Sequence, residues 1–266
     1  MEQAQAKKKL PSWAKTAVVL LALAAILWTA WAVFTDVIVL RKTEDMAGPE
    51  SAVSILFVGN SHVFAGDVPR QLQAIARMHG VEMIYKDISR HANRGGTLSA
   101  LKESAIGEIQ SGRFDYVVLT CHGRRISNDS AEFLENVGIL SGEARENGVI
   151  PVLYNSAWTA DPERLDIATE AYKRAAGEMD IVLVNAAGAW VYAHQTIPGI
   201  SLITRFDPRG PHANSAGGFL TACVFAATLF DLHVEDIPKD NLYKGHDATA
   251  LAQAAWAFVH PPPHDE

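Results

Sequence analysis

Cysteine is nearly missing from this chain: Cys121 and Cys223 are the only two in 266 residues. That excludes a disulfide scaffold and a cysteine-rich zinc module. The two fall in different expected elements, so no bridge between them is expected. An excess of positive charge is missing as well. The 23 Lys and Arg against 30 Asp and Glu leave a formal charge of −7, which argues against a nucleic-acid partner. No group among the histidines has metal-ligand spacing, and His91, His194 and His233 stand alone. Gly95-Gly96 lacks the Lys-[Ser/Thr] that a nucleotide phosphate loop requires. There is no internal repeat and no low-complexity tract, and no cofactor is implied. What the chain does have is apolar content, 48% of its residues, which excludes disorder as its main state and suffices for a sizeable core.

Charge is spread unevenly. Lys7, Lys8, Lys9 and Lys15 stand against Glu2 in residues 1–15, whereas the 20 residues from Thr16 to Thr35 carry no charge at all. At helical rise that run spans about 30 Å, the thickness of a hydrocarbon core. Trp13 precedes it and Trp28 and Trp31 lie toward its far end, as interfacial belts require. A transmembrane helix is expected over 16–40, with the basic head at 1–15 in the cytoplasm and the acidic body beyond the membrane. A cleaved signal peptide is the rival, because Ala30-Trp31-Ala32 fits a small-x-small cleavage site. Against it, the apolar character continues through Val37–Leu40. A buried core helix is the third reading, although such helices rarely reach this length without a charge.

Residues 41–51 are polar, contain Gly48 and Pro49, and read as a linker to a body at 52–260; residues 261–266 form a tail. Within the body, apolar runs of strand length occur at Val53–Val58, Met83–Ile88, Tyr116–Thr120, Val149–Tyr154 and Ile181–Asn185. Between them the apolar residues recur at three and four, predicting helices over Val68–His79, Leu98–Gln110, Ala131–Asn147 and Pro162–Glu178. Gly80, Gly112 and Gly148 stand where helix carboxy-terminal caps belong. Apolar strands alternating with helices predict a doubly wound α/β domain, a mostly parallel five-stranded sheet with helices on both faces. Chemistry in such sheets collects at the carboxy-terminal ends of the strands.

The first strand runs into Gly59-Asn60-Ser61-His62. A serine at a strand-to-helix turn can hold its hydroxyl over the sheet edge, with amides of the next helix facing a developing negative charge. A turn serine that merely caps a helix is the plainer reading. Near the other end, His212 lies on a Gly/Pro-rich loop just before the helix that runs through Phe230. There the scaffold fixes it and solvent reaches it, as a base requires; a loop histidine engaged only in local hydrogen bonds is the alternative.

Together these segments resemble the SGNH (GDSL-type) hydrolase superfamily, with its strand–G-[DN]-S–helix start and its late histidine ahead of a helix. The resemblance covers about residues 52–232. It is strongest to the branch with "DYVVLQ"-like third strands (here Asp115–Leu119), and Pro151–Trp158 and Gly218–Phe230 are similar to that branch's later blocks. The resemblance implies a flavodoxin-like SGNH fold with Ser61 as nucleophile and His212 as base. Gly95, in Asn93-Arg94-Gly95-Gly96-Thr97, is the match for the glycine whose amide joins the oxyanion hole.

Two positions depart from the family pattern. Its aspartate three residues before the histidine is Arg209 here; Asp207, five before, is the nearest carboxylate able to orient His212, or else it is a solvated turn residue. The family's Gly-x-Asn after the third strand is replaced by Cys121-His122-Gly123-Arg124-Arg125. Arg124 or His122 is then the candidate to donate to the oxyanion or clamp an anionic substrate group, against the plainer reading of Arg124 and Arg125 as a solvated pair. Cys121 at this strand end reads as a small buried filler rather than a nucleophile. The resemblance implies a serine esterase acting on small acyl esters, for instance acetyl groups on exported glycans. A glycan O-acyltransferase with the same residues, and a non-catalytic binding module, are the other readings.

Overall fold

The computed structural model describes residues 52–89, 97–156, 161–204, 212–235 and 243–262. The basic head, the expected membrane helix at 16–40 and the linker lie outside these residues. Among the described residues no helix is long and apolar enough to cross a membrane.

Five strands form one parallel sheet in the order β2-β1-β3-β4-β5. They are β1 (Val53–Val58), β2 (Met83–Asp87), β3 (Tyr116–Leu119), β4 (Ile150–Tyr154) and β5 (Val182–Val184). β1 coincides with the apolar run named above, and the other four are those runs trimmed by a residue or two at their ends. β1 sits inside the sheet with all six residues buried. The two outer strands are more open than a sheet covered throughout would be: Ile84 and Tyr85 of β2 and Val182 of β5 are exposed.

Helices α2 (Val68–Met78), α3 (Leu98–Gln110), α5 (Ser130–Glu146) and α6 (Pro162–Met179) match the predicted periodic stretches. Gly80, Gly112 and Gly148 take the positive φ expected past helix ends. Short helices α1 (Ser61–Phe64) and α4 (Gly123–Asn128) follow β1 and β3, and α7 (Ala186–Thr196), α8 (Ser215–Phe230) and α9 (Ala248–Val259) complete the described α-helices. The period-2 alternation of the strands sorts the core into two layers. Leu56, Val58, Val117 and Leu119 face α3, α5 and α6, where Tyr172 and Phe133 join them. On the opposite face Phe57 and Tyr154 meet Phe225 of α8 edge-on, with ring centroids 6.0 and 5.0 Å apart. Helix α8 is apolar all round and almost wholly buried, packed between α2, α7 and α9, as such a helix must be.

Strands β1 and β3 matter most for the site, because they are paired to their last residues. Val58 stands opposite Leu119, and Thr120 N–H donates to Val58 O at 3.0 Å. Gly59 then lies against Thr120 so closely that any Cβ there would collide with it. The two chains therefore leave the sheet side by side.

Candidate active site

Ser61 opens α1. Asn60 caps that helix by accepting the His62 N–H at 2.8 Å, which holds the turn after β1 in place. One turn on, the chain reverses at Gly66 with φ +71°, a left-handed conformation open to glycine at little cost. Here Gly66 meets Gly218 of α8 backbone to backbone, and a Cβ on either would overlap the other chain. Gln71, wholly buried on α2, reinforces the junction: its Nε2 donates to Gly66 O at 2.6 Å and to Ser215 O at 3.1 Å. The start of α8 is thus bolted to the loop that carries the serine.

His212 lies three residues before α8, in an extended segment fixed by its own backbone. Thr204 N–H donates to His212 O at 2.9 Å, Asn214 N–H donates to Leu202 O at 3.0 Å, and Asn214 caps α8 through Gly217 N–H. The result is a contact across 151 residues: Ser61 Oγ and His212 Nε2 are 2.7 Å apart. With the hydroxyl donating, Nε2 is placed to take its proton. The other sequence-derived candidates fall differently. Asp207 and Gly95 lie outside the described residues. Arg124 is exposed on α4, where its backbone N–H donates to His122 Nδ1 at 3.2 Å.

Two more imidazoles complete the centre. His62 is buried and stacks on His212, centroids 5.5 Å apart and planes 27° from parallel. Burial first, then the proximity of His122 and His212, brings its pKa down to about 3, so His62 is neutral at ordinary pH. His122 is half-buried, 6.3 Å from His62 by centroid. Burial, the Arg124 charge, His212 and Arg125 hold its pKa below the usual histidine value. The role of His62 was not foreseen from sequence; the available signal was its place directly after Ser61.

Below the centre, polar groups buttress the strand ends. Cys121 N–H donates to the Tyr172 hydroxyl at 2.8 Å, which donates on to Cys121 O at 3.2 Å. The Cys121 thiol is buried and pushed up to about 11, which leaves it protonated and inert, the filler its position suggested. Both cysteines are free. His62 also borders a small cavity with Tyr154, Ser156, Trp190 and Thr221. The Tyr154 hydroxyl donates to His62 O at 3.3 Å, and Trp190 Nε1 donates to Thr221 Oγ1 at 3.1 Å. Among the described residues no group of His, Cys, Asp or Glu is arranged to hold a metal ion.

No family model matches the chain, and no curated protein matches it. Solved structures do. A DUF4886 family protein from Bacteroides uniformis superposes with a TM-score of 0.60 at 15% identity, over 79% of this chain and 96% of that one. The acetyl xylan esterase AlAXEase gives 0.53 at 14% identity, over 67% and 100%. A G-D-S-L family protein from Desulfitobacterium hafniense gives 0.50 at 14%, over 66% and 99%. The chain shares the α/β fold of these proteins. At these identities the likeness concerns the fold alone, and function is argued from the site.

Proposed function

We propose that the chain is a membrane-anchored, exported serine esterase that hydrolyses small acyl esters. The single observation that carries this reading is the 2.7 Å contact between Ser61 Oγ and His212 Nε2. In the reaction, Ser61 Oγ bonds to the ester carbonyl carbon as its proton passes to His212 Nε2, and the carbonyl π pair becomes the oxyanion. Collapse re-forms the carbonyl and breaks the bond to the alcohol, which leaves with the proton from Nε2. Water repeats the sequence on the acyl-enzyme and releases the acid.

The amides of Ser61 and Gly95 are the backbone donors this reading assigns to the oxyanion, each worth about 2.7–4 kcal/mol. Asp207 is assigned to orient His212. Acetylated carbohydrates are the favoured substrate class, supported by the acetyl xylan esterase and a family 3 carbohydrate esterase among the structures of similar fold. The uncharged run at Thr16–Thr35 behind a lysine-rich head supports anchoring, with the amino terminus cytoplasmic and the catalytic body outside.

Ser61→Ala tests the reading in full-length protein. Turnover of 4-nitrophenyl acetate should fall roughly 10⁴–10⁶-fold, and a fluorophosphonate probe should label the parent chain but not the variant. Unchanged turnover in the variant removes the assignment.

A further inference from the structure

We propose that His122 is a catalytic residue of this site, its Nε2–H donating a hydrogen bond to the oxyanion that forms when Ser61 attacks an ester carbonyl. The inference rests on the Ser61–His212 reading and adds to it a side-chain donor.

Placement comes from strand register. Val58 and Leu119 are partners at the ends of adjacent parallel strands. Ser61 and His122 each lie three residues beyond those partners, after two chains held together by Thr120 N–H to Val58 O and by the Gly59 contact with Thr120. The Tyr172 hydroxyl clamps both backbone groups of Cys121, the residue before His122. His122 is also close enough to His212 for a charge on that ring to be felt.

Chemistry comes from the tautomer. The Arg124 backbone N–H donates to His122 Nδ1 at 3.2 Å, so in the neutral ring Nδ1 is an acceptor and the proton resides on Nε2. The depressed pKa keeps the ring in that neutral form. A neutral imidazole with its donor fixed by a backbone contact is a recognised electrophilic partner for a developing oxyanion. Of the two candidates the sequence offers here, Arg124 and His122, Arg124 serves through its backbone, as the group that sets this tautomer.

No proton is transferred by His122 in the step. The Ser61 proton goes to His212, the carbonyl π pair becomes the oxyanion lone pair, and Nε2–H stabilises it until collapse re-forms the carbonyl and expels the alcohol.

The test uses the full chain, 4-nitrophenyl acetate and thermal melts to verify folding. His122→Phe and His122→Ala should lower kcat on the order of 10²–10³-fold with KM nearly unchanged. His122→Gln, whose amide can donate from a similar reach, should recover part of the loss. In ¹⁵N-histidine-labelled parent protein, the His122 ring should show the Nε2–H tautomer, a reading that does not depend on any variant folding. A folded His122→Phe enzyme with parental kcat overturns the inference, as does a His122→Gln enzyme no better than His122→Phe, or an Nδ1–H ring. Ser61→Ala separates the two levels: full activity there overturns the nucleophile assignment and His122 with it. A dead Ser61→Ala beside an active His122→Phe overturns the donor alone.

Discussion

The turn after β1 and the turn after β3 are built alike and used differently. In each, the chain leaves a buried strand, and one side chain caps a short helix by accepting the N–H two residues ahead, Asn60 from His62 and His122 from Arg124. In the first turn the cap is an amide, and the next residue, Ser61, meets His212 Nε2 at 2.7 Å. In the second the cap is itself the imidazole, so the capping bond dictates which ring nitrogen carries the proton. The lesson is that one local device can either present a neighbour or set the chemistry of the capping residue. The supports differ too. The first turn is closed by backbone packed on backbone at Gly66 and Gly218, the second by a single hydroxyl, that of Tyr172.

Acid should destabilise the fold through the buried His62 of the first turn. His62 titrates at about 3 in the fold and near 6.5 when unfolded. Between these values the unfolded chain binds a proton that the native chain does not, so stability is complete above pH 6.5 and falls as pH drops toward 3. The loss attributable to His62 should reach roughly 4 kcal/mol by pH 3, and urea melts from pH 7 down to 4 should show the corresponding slope. His62→Phe should flatten it; an unchanged slope would place the acid sensitivity elsewhere.

Gly218→Ala should come next, at about 3 kcal/mol of stability, because the new methyl has only the Gly66 backbone to push against. It should also lower kcat by displacing the start of α8 and with it His212 from Ser61. A variant with parental melting temperature and rate would show that the junction yields easily.

Tyr172→Phe should have the smallest effect, about 1–2 kcal/mol, from leaving the Cys121 backbone groups without their partner. Its kinetic effect should match His122→Phe in kind, in kcat rather than KM, and be weaker. A change in KM alone would argue that Tyr172 supports something other than the His122 turn.

Much of the sheet was readable in advance because parallel strands covered by helices need nearly continuous apolar runs, and Ile55, Leu56, Phe57 and Val58 supply one. Helices such as α3 are legible because they have an apolar stripe. Helix α7 is not, since Ala186–Thr196 is small and apolar on most sides and shows little period. Ser61 and His212 were legible as residue types in suitable local settings, one at a strand end and one before a helix. His122 was legible only as an alternative to Arg124, and His62 was not legible at all, because a histidine in a loop looks the same whether it faces solvent or another imidazole.

From the order of residues alone come the alternation of strands and helices, the uncharged segment near the amino terminus, and the choice of a serine and a histidine for the two critical turns. Those follow from local periodicity and from what each side chain can do chemically. Which groups meet was decided by tertiary structure: the pairing of Val58 with Leu119, the glycine contact that brings α8 onto the Ser61 loop, and the burial that strips His62 of its charge. Each depends on desolvation and close packing between segments far apart in the chain, and such energies exist only once the sheet has assembled.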